Sequence, residues 1–89
     1  MQLAEQFASA QVRVRSLART PDAATLLELY GLFKQATLGD VQGTRPGALD
    51  LKGRAKWEAW AHLRGLDQEA AMARYVALVD RLLGAATAT

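Results

Sequence analysis

The chain predicts an all-α fold of four helices, and three observations carry that prediction. Apolar residues recur at intervals of three and four through four separate segments, the spacing of one helix face. No segment alternates apolar with polar residues as a half-buried strand does. The breaks between segments hold helix punctuation: Pro21, a Gly-, Pro- and Asp-rich stretch over 39–50, and Gly65 followed by Asp67.

Leu3, Phe7, Ala10, Val14 and Leu17 step by four, three, four and three and predict a first helix over about residues 2–18. Arg19-Thr20-Pro21 ends it, because the residue before a proline is biased away from helix. Asp22 is placed to cap a second helix that carries Leu26, Leu27, Leu29, Tyr30, Phe33 and Ala36. This segment is apolar around much of its circumference, so it lies centrally or offers a second face to a ligand. Gly39 to Asp50 holds three glycines, one proline and two aspartates without any period. A loop of that length in so small a domain carries function or spans the domain. A third helix is expected from about Leu51 to Leu63, with Gly65 as its C-terminal cap. Asp67 caps a fourth, Glu69 favours its dipole, and its stripe from Met72 through Tyr75, Val76, Val79, Leu82 and Leu83 runs to Gly84. The small-residue tail over 85–89 is expected to fray.

At 89 residues the chain makes one domain over residues 1–89. Folding at this length buries little more than ~60% of the extended surface, enough for one modest core and too little for an enclosed active site. The absence of cysteine excludes a disulfide framework and a thiolate metal site. With 51% apolar and 22% charged residues the chain has a globular balance. A net charge of +2 is too small to argue for nucleic acid. Between Lys34 and Arg64, however, six basic residues face three acidic ones, so the excess sits where an anionic ligand can be held. The N-terminus has an acid at Glu5 and no cationic start, which is not a secretory signal, and no stretch approaches the roughly eighteen apolar residues that span a bilayer. A cytoplasmic monomer, inserted in no membrane and bound to no nucleic acid, is the expectation.

The only histidine is His62, and no serine sits in a Gly-x-Ser-x-Gly turn. Neither a nucleophile with its base nor a metal-ligand cluster assembles, so no catalytic residue, metal or cofactor is expected. What remains is a set of aromatics interleaved with cations. Tyr30 and Lys34 lie four apart, with Phe33 next to both, and Lys52 and Lys56 repeat the spacing on the third helix beside Trp57. Arg15 and Tyr75 join them if the bundle brings those faces together. Such a set suits a ligand with a phosphate and a planar base. On spacing alone, a core Tyr30 and Phe33 with solvated lysines is the commoner arrangement. Of Trp57 and Trp60 at least one is expected to be structural.

The strings LELYGLFKQATLGD (27–40) and RPGALDLKGRAKWEAW (45–60) resemble the signature of the acyl-CoA-binding protein family. The matching residues are Tyr30, Phe33, Lys34, Gln35, Ala36, Thr37, Gly39 and Asp40, then Arg45, Pro46, Gly47, Asp50, Gly53, Ala55, Lys56, Trp57, Ala59 and Trp60, with Phe7, Pro21, Met72 and Tyr75 beyond them. The resemblance implies an up-down-down-up four-helix bundle, the long loop being the overhand connection between two parallel helices. It implies non-enzymatic binding, buffering and transport of long-chain acyl-CoA thioesters, with acyl-CoA-using enzymes as recipients. It places Tyr30, Lys34 and Lys56 on the adenosine 3′-phosphate and Phe33 against adenine. Arg15 and Tyr75 would border the ligand, Leu26 and Leu27 would line a groove for the acyl chain, and Lys52 is counted with the same set. Phe33 stands where many members have tyrosine, and Arg15 and Arg54 where lysine is common, so no phosphate donor is lost. Two other functions compete: a module whose apolar groove takes a partner helix, which has no need for the cations, and an enzyme acting on acyl-CoA, which lacks a base and a nucleophile.

Overall fold

Three aspartates stand where helices begin, and each caps one. Asp22 accepts a hydrogen bond from the Thr25 N–H at 2.8 Å, Asp50 from Gly53 at 3.0 Å, and Asp67 from Glu69 at 2.7 Å. In the computed structural model, which describes the backbone of residues 2–87 and the side chains of 2–84, four α-helices result: α1 Leu3–Arg13, α2 Ala23–Leu38, α3 Leu51–Ala61 and α4 Gln68–Thr87. No strand occurs among the described residues.

The ends of three helices differ from the sequence expectation. α1 stops at Arg13 and continues as a single 3-10 turn over Val14–Ser16, where the Ser16 hydroxyl donates to the Arg13 carbonyl at 2.7 Å and Leu17 is already extended. α3 ends at Ala61, and the chain tightens through i to i−3 bonds at Leu63 and Arg64 before Gly65 takes φ 91°. α4 passes through Gly84 to Thr87. The tail expected to fray over 85–89 is helical over 85–87, and residues 88 and 89 lie outside the described residues.

Cross-helix pairs set the directions. Phe7 meets Tyr75, and Arg13 bonds Asp80 at 2.6 Å, so α1 and α4 run parallel. Gly31 abuts Ala59, the Trp60 indole donates to the Gly39 carbonyl at 2.7 Å, and the Gly65 N–H donates to Asp40 at 2.8 Å, so α2 and α3 also run parallel. The start of α4 meets the end of α2, where the Gln68 amide donates to the Ala36 carbonyl at 3.2 Å. The bundle is therefore up-down-down-up. Residues 39–50 return along its length from the end of α2 to the start of α3, held by the buried Val41 and by Arg45 against Glu58 at 3.6 Å.

Phe7 and Ala10 of α1, Leu29, Leu32 and Ala36 of α2, and Ala71, Tyr75, Leu78 and Val79 of α4 form the core. Gln35 is the buried polar exception at 1% exposure. Its amide donates to Asp40 at 2.9 Å and to the Leu66 carbonyl at 2.6 Å, tying the α2 exit to the α3–α4 connection. The Gly65 N–H first, and then the Gln35 amide, hold the Asp40 carboxyl below its ordinary 3.8, with Arg64 adding attraction and desolvation opposing. A carboxyl lowered on folding contributes stability above its unfolded value and loses it as pH falls through the folded one. Asp22, lowered by Thr25, acts in the same sense. Urea unfolding is thus expected to show the parent chain more stable than Asp40→Asn at pH 7, with the gap closing below about pH 4. A gap that stays constant with pH would remove Asp40 from the acid response.

Candidate functional site

Parallel packing of α2 on α3 brings two i, i+4 pairs together: Tyr30 and Lys34 on one helix, Lys56 and Trp60 on the other. The Lys34 ammonium lies 5.7 Å from the centre of the Tyr30 ring and 5.8 Å from that of Trp60. The Lys56 ammonium lies 5.5 Å from the same Tyr30 ring. Each contact is worth only ~0.5–1 kcal/mol at such exposure. Neither ammonium has a carboxylate partner among the described residues, whose ion pairs are Arg13–Asp80, Arg45–Glu58 and Arg54–Glu58. Two unneutralised cations on one phenol ring repel each other, and an anion between them relieves that repulsion while the Tyr30 hydroxyl supplies a neutral donor.

Directly beside this pair, Ala23, Leu26 and Leu27 of α2 and Leu51, Lys52, Ala55 and Lys56 of α3 line an open groove of about 330 Å³. Its surface is apolar, because the two lysines present their methylene stems to it and carry their charges outward. Lys56 thus belongs to both the charged pair and the groove. Leu51 and Leu26 are exposed large apolar residues at its wall. Two other clefts carry acids. The one that shares Leu27 and Ala55 with this groove bears Glu28 and Glu58, and the notch at the bundle end bears Asp40, Asp67 and Glu69. The groove beside Lys56 is lined by two lysines and no acid, so its charge suits an anionic ligand better than that of the other two.

The remaining sequence candidates form a second cluster. Phe33 lies 6.1 Å from Phe7, and Tyr75 meets Phe7 edge-on at 5.1 Å. Tyr75 is buried, and that burial raises its phenol above the ordinary 10.0 while the charge of Arg15, on the 3-10 turn, opposes the rise. Arg15 and Tyr75 are therefore neighbours, and Phe33 links their cluster to Lys34 along α2. Trp60 is the residue the spacing did not single out: its ring backs Lys34 and its N–H ties α3 to Gly39, whereas Trp57 makes neither contact. A further signal lies in composition. Lys34, Lys52 and Lys56 are the only lysines in the chain, and its other eight cations are arginines. An ammonium is a compact point charge on a flexible stem, and all three stand at the Tyr30 ring or the adjoining groove.

A family model described as "Acyl CoA binding protein" matches residues 4–79. The chain belongs to the acyl-CoA-binding protein family. An acyl-CoA-binding protein homolog of Drosophila melanogaster is 47% identical over 81 residues, 91% of this chain and 94% of the relative. The acyl-CoA-binding protein of Saccharomyces cerevisiae is 49% identical over 82 residues, 92% of this chain and 91% of the relative. The crystal structure of acyl-CoA-binding protein 2 from Oryza sativa superposes with a TM-score of 0.94 at 42% identity, covering 99% of this chain and 98% of that one. The family's all-α bundle is thus the architecture of this chain. Among the described residues no helix is long and apolar enough to cross a membrane, and no group of three acids or histidines is set to hold a metal.

Proposed function

We propose that this member binds long-chain acyl-CoA and carries it unchanged, as a cytoplasmic monomer that buffers the thioester and delivers it to acyl-CoA-using enzymes. The observation that carries the reading is the unneutralised Lys34–Tyr30–Lys56 cluster, joined through Lys56 to an apolar groove. The 3′-phosphate sits between the two ammoniums with the Tyr30 hydroxyl as a third donor, and adenine lies against Phe33. Arg15 and Tyr75 border the nucleotide, while the acyl chain occupies the groove of Leu26, Leu27 and the Lys52 stem.

The two halves discriminate against different molecules. Each buried methylene contributes ~0.8 kcal/mol, so ten offer on the order of 8 kcal/mol before ordering costs, and free CoA lacks them. Each charge-assisted hydrogen bond contributes ~1.5–3 kcal/mol, and a free fatty acid lacks the phosphate that makes it. Calorimetric titration with palmitoyl-CoA, CoA and palmitate in parallel is expected to show tight binding of the first alone. Equal affinity for palmitate and palmitoyl-CoA would reject the phosphate clamp. Release of CoA over many turnovers would overturn the carrier reading.

A further inference from the structure

We propose that Leu49, Leu51 and the Lys52 ammonium form a docking surface for an anionic lipid bilayer at the mouth of the groove, an inference that rests on the acyl-CoA reading for what the docking achieves. Leu49 is 102% exposed, Leu51 75% and Leu26 44%. Single exposed leucines are ordinary on a protein surface, but these three gather at one opening. Leu26 and Leu51 belong to the groove wall, and Leu49 stands two residues before Leu51, within ~7 Å along the chain. Leu49 is also held in place. The Asp50 N–H donates to the Gly47 carbonyl at 3.0 Å and the Asp50 carboxylate caps α3, so hydrogen bonds fix a leucine on a turn where small polar residues and glycine are usual.

The charges around these leucines decide what they meet. From Leu49 to Lys56 three cations, Lys52, Arg54 and Lys56, stand against one acid, Asp50. Arg54 is paired with Glu58, whereas Lys52 and Lys56 have no carboxylate partner among the described residues. Asp50 and Asp22, the acids that begin α3 and α2, each accept an N–H of their own helix. The buried centres of protein interfaces are depleted in lysine, and leucine is under-represented among their hot spots. Leucines set among unpaired ammoniums match an anionic bilayer instead, whose headgroups take the charges and whose acyl boundary takes the leucines. The contact is peripheral, since no helix among the described residues is long and apolar enough to cross a membrane. Its use follows from the groove. An acyl chain that leaves through water exposes every methylene it had buried, whereas a groove mouth held against a bilayer passes the chain from one apolar medium to another.

The test sediments the ligand-free chain with vesicles of phosphatidylcholine, pure or mixed with phosphatidylserine, and then follows by stopped flow the transfer of a bound pyrene-labelled acyl-CoA to the same vesicles. Expected are binding only to vesicles that contain phosphatidylserine, weaker as salt rises, and a transfer rate that climbs with vesicle concentration. Leu49→Ser should lower vesicle affinity and transfer rate about fivefold or more, and Lys52→Gln should lower vesicle affinity about fivefold, the share of one cation near an anionic surface. Leu49 does not line the groove, so Leu49→Ser should bind palmitoyl-CoA in solution as the parent does. No vesicle binding, vesicle binding that Leu49→Ser leaves unchanged, or a transfer rate independent of vesicle concentration overturns the proposal. So does a chain that ignores vesicles while Leu49→Ser slows an acyl-CoA-using enzyme fed by the loaded protein, which would give the surface to a protein partner. Failure of palmitoyl-CoA to bind in solution overturns the carrier reading and the use drawn from it, while vesicle binding is read without ligand.

Discussion

Replacing Lys56 with alanine is expected to weaken palmitoyl-CoA binding by about tenfold to a hundredfold, the equivalent of the ~1.5–3 kcal/mol that one charge-assisted hydrogen bond supplies. The fold should barely notice. Lys56 is exposed, has no ion-pair partner among the described residues, and gives only part of its stem to the groove wall. Alanine is moreover the best helix former, so α3 loses nothing in propensity. Circular dichroism should therefore match the parent while calorimetry departs from it. The loss should shrink as salt rises, because the parent's clamp is itself screened at an exposed site. Lys56→Arg should fall between the two, keeping the charge but exchanging a point ammonium for a planar fork. An unchanged affinity for Lys56→Ala would defeat the phosphate assignment outright.

How much of this site the sequence discloses depends on which contact is asked about. The pairs Tyr30–Lys34 and Lys56–Trp60 are each legible as one helix face, since four residues make a little over one turn. Their meeting is not, because periodicity says which side of a helix is apolar and nothing about which helix lies beside it. The long motif over residues 27–60 supplies that pairing through family likeness, and the Gly31–Ala59 approach is its physical basis. Spacing sets Trp60 rather than Trp57 on the face of Lys56, yet it does not say that this indole reaches Lys34. The indole that backs Lys34 is decided by the register of α3 against the Gly39 carbonyl. The restriction of lysine to positions 34, 52 and 56 is readable without any structure.

The helix starts are legible because a capping aspartate acts locally, through its own carboxylate on an N–H two or three residues on. The ends are harder. Val14 and Leu17 continue the three-four spacing of α1, yet a 3-10 turn also brings residues three apart onto one side, so the pattern cannot tell the two apart. Gly39, Gly65 and Gly84 look alike as stop signals. A glycine ends a helix when φ turns positive, as it does at 80° in Gly39 and 91° in Gly65, whereas α4 runs on through Gly84. A helix-interior glycine costs only ~1 kcal/mol, which the packing of Leu78, Val79, Leu82 and Leu83 on the core offsets.

Gly31→Val is expected to cost ~3 kcal/mol or more of stability, with Gly31→Ala following at roughly half that. A Cβ at Gly31 would stand 2.7 Å from the Ala59 carbonyl oxygen and 3.0 Å from its carbon. Those are backbone atoms of α3, so no rotamer change clears the space and the helices must separate. Alanine gains ~0.8–1.0 kcal/mol in helix propensity over glycine, against an overpacking cost of ~1–3 kcal/mol that falls near its upper end when the obstacle is backbone. Valine adds two γ carbons to the same clash and forgoes part of the propensity gain. For a domain of this size each kcal/mol lowers Tm by about 4–8 °C, so Gly31→Val should melt more than ~10 °C below the parent, with a lower urea midpoint at constant slope. Separation of α2 from α3 also draws Tyr30 and Lys34 away from Lys56 and Trp60. Palmitoyl-CoA affinity should therefore fall at a temperature where the variant remains folded, although none of the proposed ligand-binding side chains is altered. Lys56→Ala loses affinity and keeps stability, while Gly31→Val loses both. A Gly31→Val chain with the parent's midpoint and affinity would show that the α2–α3 approach sets neither the fold nor the clamp.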